Sequence, residues 1–201
     1  MKKILIIILT ILLSGLIISQ IYAMNSRKDI ESYPYKVVEK HSDFEIRAYE
    51  SSLFNSVKLP YSSYKESSRK GFSLLASYIF GSNESNEKIA MTSPVMMSLG
   101  DSVTMHFLVP KQYTKETLPK PNNNQVELTQ VPAKTVAVIS FKGWADDEKI
   151  EKYKQKLINH LKEENIKYKG PFYFLGYNPP FELFNRRNEV MVELITKNQD
   201  N

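Results

Sequence analysis

The sequence predicts an α+β fold: a duplicated βαβ-type repeat forming a distorted antiparallel β-barrel flanked by two long helices. Two observations predict it. Short runs of alternating apolar and polar residues are twice interrupted by a long segment with helical periodicity. The resulting pattern (strand, strand, helix, strand, strand) occurs once on either side of a Pro-, Lys- and Asn-rich connection at residues 110–124. Each half alone would leave one face of its sheet bare, so the halves are expected to close on each other about a pseudo-twofold.

Tyr35 to Glu39 and Phe44 to Leu59 read as strands, with His41-Ser42-Asp43 as the turn between them. Phe44, Ile46 and Ala48 alternate with Glu45 and Arg47, the period of a half-buried strand, and Glu45 with Arg47 is expected to be a cross-strand or surface pair. A helix is expected from Pro60 to about Phe80, with Tyr64, Ser68, Phe72, Leu75 and Ile79 on one face and Gly81 ending it. Lys88 to Leu99 and Val103 to Val109 read as strands; Val103, Met105, Phe107 and Val109 share a face and His106 points the other way. After the connection, Gln125 to Val131 and Thr135 to Lys142 are strands. The second helix runs from Asp146 to Glu164, with acids in its first turn, where the helix dipole favours them, and Ile150, Tyr153, Leu157 and Leu161 as its buried stripe. Pro171 to Tyr177 and Glu189 to Ile195 finish the sheet. Between them lies the stiff loop Tyr177-Asn178-Pro179-Pro180-Phe181, because adjacent prolines fix φ and donate no hydrogen bond.

Met1-Lys2-Lys3 is a short basic leader to an almost wholly aliphatic run from Ile4 to Tyr22. The run is long for a signal and long enough to span a bilayer, so residues 1–23 are expected to be a signal peptide cleaved after Ala23 or an N-terminal membrane anchor at residues 4–22. Residues 24–32 are then a polar linker, 33–197 the folded domain and 198–201 a polar tail. The compact leader points to an exported bacterial protein, periplasmic or otherwise extracytoplasmic, and attached to the inner membrane if the anchor is retained. Losing Lys2 and Lys3 lowers the formal charge from +5 to +3, too mild for a nucleic-acid partner. The chain has no cysteine, which excludes disulfides, thiolate metal sites, thioether haem attachment, lipoprotein acylation and a cysteine nucleophile. Its core therefore rests on packing, for which it has 12 tyrosines and 10 phenylalanines.

The motifs point to a binder, not an enzyme. No Gly-x-Ser-x-Gly elbow, phosphate-cradling glycine loop or His-Glu-x-x-His occurs, and nothing resembles a general acid beside a nucleophile. The three histidines fall on a turn (His41), a strand (His106) and a helix (His160), without ligand spacing. His106 has two readings, an axial ligand to a metal or a hydrogen-bonded strand histidine. Met91, Met96 and Met97, near Pro94, could supply a thioether or simply fill the core. The basic groups say more. Lys65, Arg69 and Lys70 sit on the first helix, Arg69 one step from the Phe72/Leu75 stripe, and Arg186 and Arg187 sit on the Pro-Pro loop. An apolar slot rimmed by guanidinium groups suits a planar, hydrophobic ligand with carboxylates, which arginine pairs in two parallel hydrogen bonds. The alternative for Arg186 and Arg187 is that they tie the loop to backbone carbonyls or to Glu189.

Several segments together resemble the SOUL haem-binding family. They are Tyr35-Lys36-Val37-Val38 with Glu45-Ile46-Arg47-Ala48-Tyr49, the run from Gly71 to Asn83, and Lys88-Ile89-Ala90-Met91-Thr92-Ser93-Pro94-Val95. The last is Gly176-Tyr177-Asn178-Pro179-Pro180-Phe181 with Arg186-Arg187-Asn188-Glu189-Val190. The resemblance implies two repeats in a distorted barrel and reversible, non-covalent binding of haem or another porphyrin in a shallow apolar groove near the first helix. It implies Phe72 and Leu75 as groove wall, Arg69 facing the propionates, and Arg186 or Arg187 as a second partner. Family members share no one axial ligand, so the choice for His106 stays open. The export leader, and Glu182 and Leu183 after the Pro-Pro-Phe motif, depart from the pattern of the animal members. Two rival readings use the same fold: a non-catalytic protein-interaction module, and a binder of other flat amphiphiles.

Overall fold

The computed structural model describes residues 2–25, 30–60 and 63–195. The expected tail at 198–201, part of the expected linker at 24–32, and residues 61 and 62 of the expected first helix lie outside the described residues. Helix α1 (Lys2–Asn25) is the N-terminal apolar segment. Strands β1 (Tyr35–Lys40), β2 (Phe44–Tyr49) and β3 (Ser52–Leu59) precede helix α2 (Tyr64–Ile79), which is followed by β4 (Val95–Leu99) and β5 (Val103–Leu108). The second half holds β6 (Val126–Val131), β7 (Lys134–Lys142), helix α3 (Asp147–Glu163), β8 (Tyr168–Gly176) and β9 (Arg187–Leu194).

Two boundaries differ from expectation for identifiable reasons. The single strand expected over Phe44–Leu59 is two, because β2 pairs with β7 of the second half while β3 pairs with β5 and β6. The chain therefore crosses the molecule at Glu50-Ser51. The strand expected from Lys88 starts only at Val95. Ser93 instead gives its backbone groups to the segment before β1, accepting from Tyr33 N at 3.0 Å and donating to Glu31 O at 2.9 Å, and Pro94, after a cis peptide bond, has no N–H for a ladder.

All nine strands form one antiparallel sheet in the order β1-β2-β7-β9-β8-β4-β5-β3-β6. A pseudo-twofold runs between β8 and β4 and relates β9 to β5, β7 to β3 and β2 to β6. The first strand of each repeat has thus crossed to the far edge of the other repeat's sheet. Helix α2 packs on β3 and β5, and α3 packs on β7 and β9, which is the same relation. The larger core lies under both helices and joins Leu75, Tyr78 and Ile79 to Leu157 and Leu161. A smaller core fills the opposite face. There Tyr33 packs on Tyr49 of β2 at 4.3 Å and on Phe54 of β3 at 5.0 Å, strands far apart in the order, so the sheet must curl into an open barrel.

Local chemistry places the helices. Ser63 caps α2: the Glu66 amide donates to Ser63 Oγ at 3.2 Å, and the same hydroxyl donates to the Glu66 carboxylate at 2.9 Å. Asp146 caps α3 by accepting from Lys149 N at 2.7 Å. Gly71 lets α2 settle onto the sheet, since a Cβ there would lie 2.8 Å from Leu59 Cδ1 and 3.0 Å from Met105 Cε.

Candidate ligand groove

Because α2 covers β3 and β5 while α3 covers β7 and β9, the central pair β4 and β8 has no helix above it. A cavity of about 590 Å3 opens there, within the range of small-molecule sites. Its floor is Val95 and Met97 of β4, Met105 of β5, and Phe174 and Gly176 of β8, with Met97 directly opposite Phe174 in the ladder. Tyr64 and Phe72 of α2 form one wall, and Trp144 and Ala145, just before α3, form the other. Phe72 meets Phe107 edge-on at 5.3 Å and Tyr64 meets Phe174 edge-on at 5.0 Å, so both wall rings are held by geometry aromatic pairs favour. Burial raises the Tyr64 hydroxyl above its ordinary pKa, the Arg186 charge opposing and Asp147 adding to the effect. A second lobe of about 390 Å3 continues past Phe72 and Pro180 between Phe80, Met91, Tyr177 and Phe181.

The β8–β9 loop closes the end of the groove, and Arg186 holds it. Its guanidinium donates to the carbonyls of Pro179 (2.9 Å), Glu182 (2.7 Å) and Asn178 (3.2 Å) and lies 4.0 Å above the Trp144 ring. Burial lowers the Arg186 pKa, against the opposing pull of Tyr64 and Glu182. Asn188 donates to Gly143 O at 2.7 Å and so fixes the backbone that presents Trp144, with Gly143 itself at φ 85°.

The structure sorts the residues singled out by sequence. Arg69, Phe72 and Arg186 line the groove. Arg69 is exposed at its rim and has no hydrogen-bond or ion-pair partner among the described residues. Leu75 does not line it: one turn along α2 the helix faces down into the sheet, and Leu75 is wholly buried in the main core. Arg187 leaves by the other face of β9, where it bonds Glu189 at 2.7 Å and Tyr35 at 3.2 Å. The tie to carbonyls thus describes Arg186, and the tie to Glu189 describes Arg187.

His106 also faces away from the groove. It lies in the smaller core, edge-on to Phe54 at 6.1 Å, and its buried Nδ1 has no hydrogen-bond partner among the described residues. Burial, with help from Lys134, lowers its pKa from 6.5 to about 4. As an axial ligand to anything in the groove it is misplaced. Met97 lies in the floor and Met91 in the second lobe, while Met96 packs on the opposite face. Among the described residues no three His, Cys, Asp or Glu side chains gather into a metal cluster. The other two histidines both stack with one ring, Phe44: His41 at 4.1 Å and His160 at 5.9 Å.

Sequence reasoning missed Trp144, Tyr64 as a wall, Met105, Phe174 and Asn188. The one usable signal was Trp144, the chain's single tryptophan, set between Gly143 and the helix-capping Asp146. It also misjudged Arg47. That side chain is only 3% exposed and pairs with the fully buried Glu189 through two hydrogen bonds of 2.9 and 3.1 Å, besides its contact with Glu45 at 2.8 Å. Tyr177 (2.6 Å) and Ser140 (3.0 Å) also donate to Glu189. Burial by itself would raise the Glu189 carboxyl, but Arg47, Arg187 and Tyr177 outweigh it and hold the group below the ordinary carboxylate range. This network braces the underside of the same β9 segment whose upper side carries Asn188.

Residues 30–193 match the family described as SOUL heme-binding protein. The chain belongs to the SOUL family. Among SOUL relatives, Heme-binding protein 1 of Xenopus laevis is 30% identical over 73% of this chain and 81% of that protein. Heme-binding protein 2 of Mus musculus is 30% identical over 83% of this chain and 84% of that protein. Solved structures with the same fold include the C-terminal domain of EcmrR (TM-score 0.60, 10% identical, 81% of this chain and 98% of that one). A hydrolase from Listeria innocua also shares it (TM-score 0.57, 9% identical, 79% and 94%). At such identities the likeness concerns the fold alone. The SOUL match begins at residue 30, past α1, whose segment Lys2–Gln20 is long and apolar enough to cross a membrane, a test that a signal sequence also passes.

Proposed function

We propose that this SOUL-family chain binds haem or a related tetrapyrrole reversibly in the groove between α2 and the β8–β9 loop, for transport, buffering or delivery outside the cytoplasm. The observation that carries the reading is the combination of an apolar floor and aromatic walls with Arg69, a rim guanidinium that has no partner among the described residues. A porphyrin plane buries its rings on Met97, Phe72 and Phe174, and a propionate pairs with Arg69. Arg186 spends its hydrogen bonds on the loop and adds its positive charge to the end of the groove. The names of the relatives, heme-binding proteins 1 and 2, support the ligand class. No histidine lines the groove among the described residues, so binding rests on ring burial and propionate pairing, with the thioethers of Met97 and Met91 among the iron ligands the lining offers. Helix α1 serves export and, uncleaved, anchoring: Lys2 and Lys3 stay on the cytoplasmic side and the domain lies across the membrane.

The test is a parallel titration of haemin and protoporphyrin IX into the full chain in lipid nanodiscs, with empty nanodiscs correcting for partition. The Soret band and quenching of Trp144, the single tryptophan, are the readouts. Both porphyrins should saturate at one per chain. Arg69→Ala should weaken both about tenfold or more without changing the melting temperature, as loss of one charge-assisted hydrogen bond predicts. Unchanged affinity would remove Arg69 from the site. Failure of both porphyrins to saturate would sink the tetrapyrrole reading and favour a protein-interaction role for the groove.

A further inference from the structure

We propose that Phe181, Leu183 and Phe184 form a bilayer-contacting tip that seats the mouth of the groove on the membrane holding α1. The three side chains are 62%, 41% and 61% exposed and follow directly on the rigid Pro179-Pro180 pair. A soluble surface seldom presents so many large apolar groups within four residues. The one acid of the segment, Glu182, is turned inward and wholly buried, and Arg186 holds the backbone before it and at it through the carbonyls of Pro179 and Glu182. The tip is thus apolar by construction, with its charge withdrawn, which is what contact with the acyl-chain boundary requires.

The lipid occupant is indicated by where the tip is tied. Gln20, two residues before the end of the apolar run Ile4 to Tyr22, donates to Phe181 O at 3.3 Å and accepts from Leu183 N at 2.9 Å. The loop is therefore held at the level where a spanning helix leaves the bilayer. Phe181 also lines the second lobe of the groove beside Phe80 and Ile30, so that lobe opens at the membrane surface. The proposal rests on α1 being retained in the membrane, and is independent of which ligand the groove takes.

The chain has no cysteine, so a single introduced one can be labelled cleanly. Full-length Leu183→Cys and Phe184→Cys, each carrying an environment-sensitive nitrobenzoxadiazole dye, would be compared with Asn159→Cys on the exposed side of α3. All three are reconstituted, without porphyrin, in vesicles of phosphatidylethanolamine and phosphatidylglycerol and recovered by flotation. The expected result is blue-shifted emission, quenched by shallow spin-labelled lipid, at 183 and 184 but not at 159. Water-exposed emission at 183 and 184 in floated protein overturns the tip while leaving the anchor intact, and points to a protein partner for these residues. A blue shift at all three positions overturns it too, since the whole domain would then be embedded. Failure to float removes the anchor and the proposal together, the titration then being run on the full chain in detergent; none of the three failures bears on whether the groove takes a porphyrin.

Discussion

Asp147, in the first turn of α3, caps Tyr64 at the start of α2: its carboxylate accepts from the Tyr64 amide at 2.6 Å and from the Lys65 amide at 3.3 Å. The neighbouring Asp146 caps its own helix, so two adjacent acids serve two different helix N-termini. Tyr64 and Trp144 are opposite walls of the groove, and the Asp147 bridge sets the distance between them.

Replacing Asp147 by alanine should therefore cost both stability and binding. Loss of a cap is worth about 1 kcal/mol, or about 2–4 °C in melting temperature for a domain of this size. Asp147→Asn keeps an acceptor oxygen and should lose less. The measurement is a pair of thermal melts with a haemin titration of each variant. Equal affinity in all three proteins would show that the bridge does not set the groove width.

Gly71 makes an opposite kind of prediction. Alanine would gain about 0.8–1 kcal/mol of helix propensity, but its Cβ would press on Leu59 and Met105, both buried, and overpacking costs about 1–3 kcal/mol. The balance favours a net loss. Because Met105 is in the groove floor, Gly71→Ala should also shrink the cavity and weaken porphyrin binding. Urea denaturation alongside the titration tests both halves of this expectation.

The His106 imidazole makes stability depend on pH. Its folded pKa of about 4 lies below the unfolded value of 6.5, so the unfolded chain holds the extra proton between the two. Stability contributed by the neutral ring is present above pH ~6.5 and lost as the pH falls towards ~4, a loss of about 3 kcal/mol when complete. His106→Leu should flatten that part of the profile relative to the parent, as read from urea midpoints at stepped pH. An identical slope in the variant would acquit His106.

Glu189 acts in a lower window. Its folded carboxyl lies below the unfolded value of about 4.3, so its contribution is full above that pH and disappears as the pH falls through the folded value. Glu189→Ala at neutral pH leaves the buried Arg47 with Glu45 as its one remaining carboxylate among the described residues and should cost about 3 kcal/mol, the low end for breaking a buried pair. The double variant Arg47→Met with Glu189→Met should recover much of that loss, since the charges left without these partners, Glu45 and Arg187, are part-exposed and reach water. A double-mutant cycle in urea decides the matter.

Helices α2 and α3 and most of the strand positions were readable from periodicity, because the main core covers one face of each helix and of β4 to β9. The crossing at Glu50-Ser51 was not, since the polar run Glu50-Ser51-Ser52 interrupts the alternation but says nothing about which strand is the neighbour on either side of it. Arg47 was misjudged for a related reason. Alternation predicts a wet outer face, but the curled sheet has a filled interior on that side, and a polar residue there is buried with a partner. Arg186 and Arg187 looked equivalent as a pair, although β9 begins at Arg187 and strand alternation sends it to the Glu189 face. On α2, Phe72 and Leu75 share one broad stripe, and only the uncovered β4–β8 pair decides that the first faces the groove and the second the sheet.

The exchange of β2 and β6 makes the two repeats mutually dependent, like two hands each holding the other's wrist. A backbone cut in the connection at residues 110–124 would leave each fragment carrying an edge strand that fits only its counterpart. Neither fragment could finish its own sheet, whereas mixing them would offer every strand its native neighbour. The same topology gives a route to dimers: two chains whose connection opened could trade halves without losing a single ladder hydrogen bond.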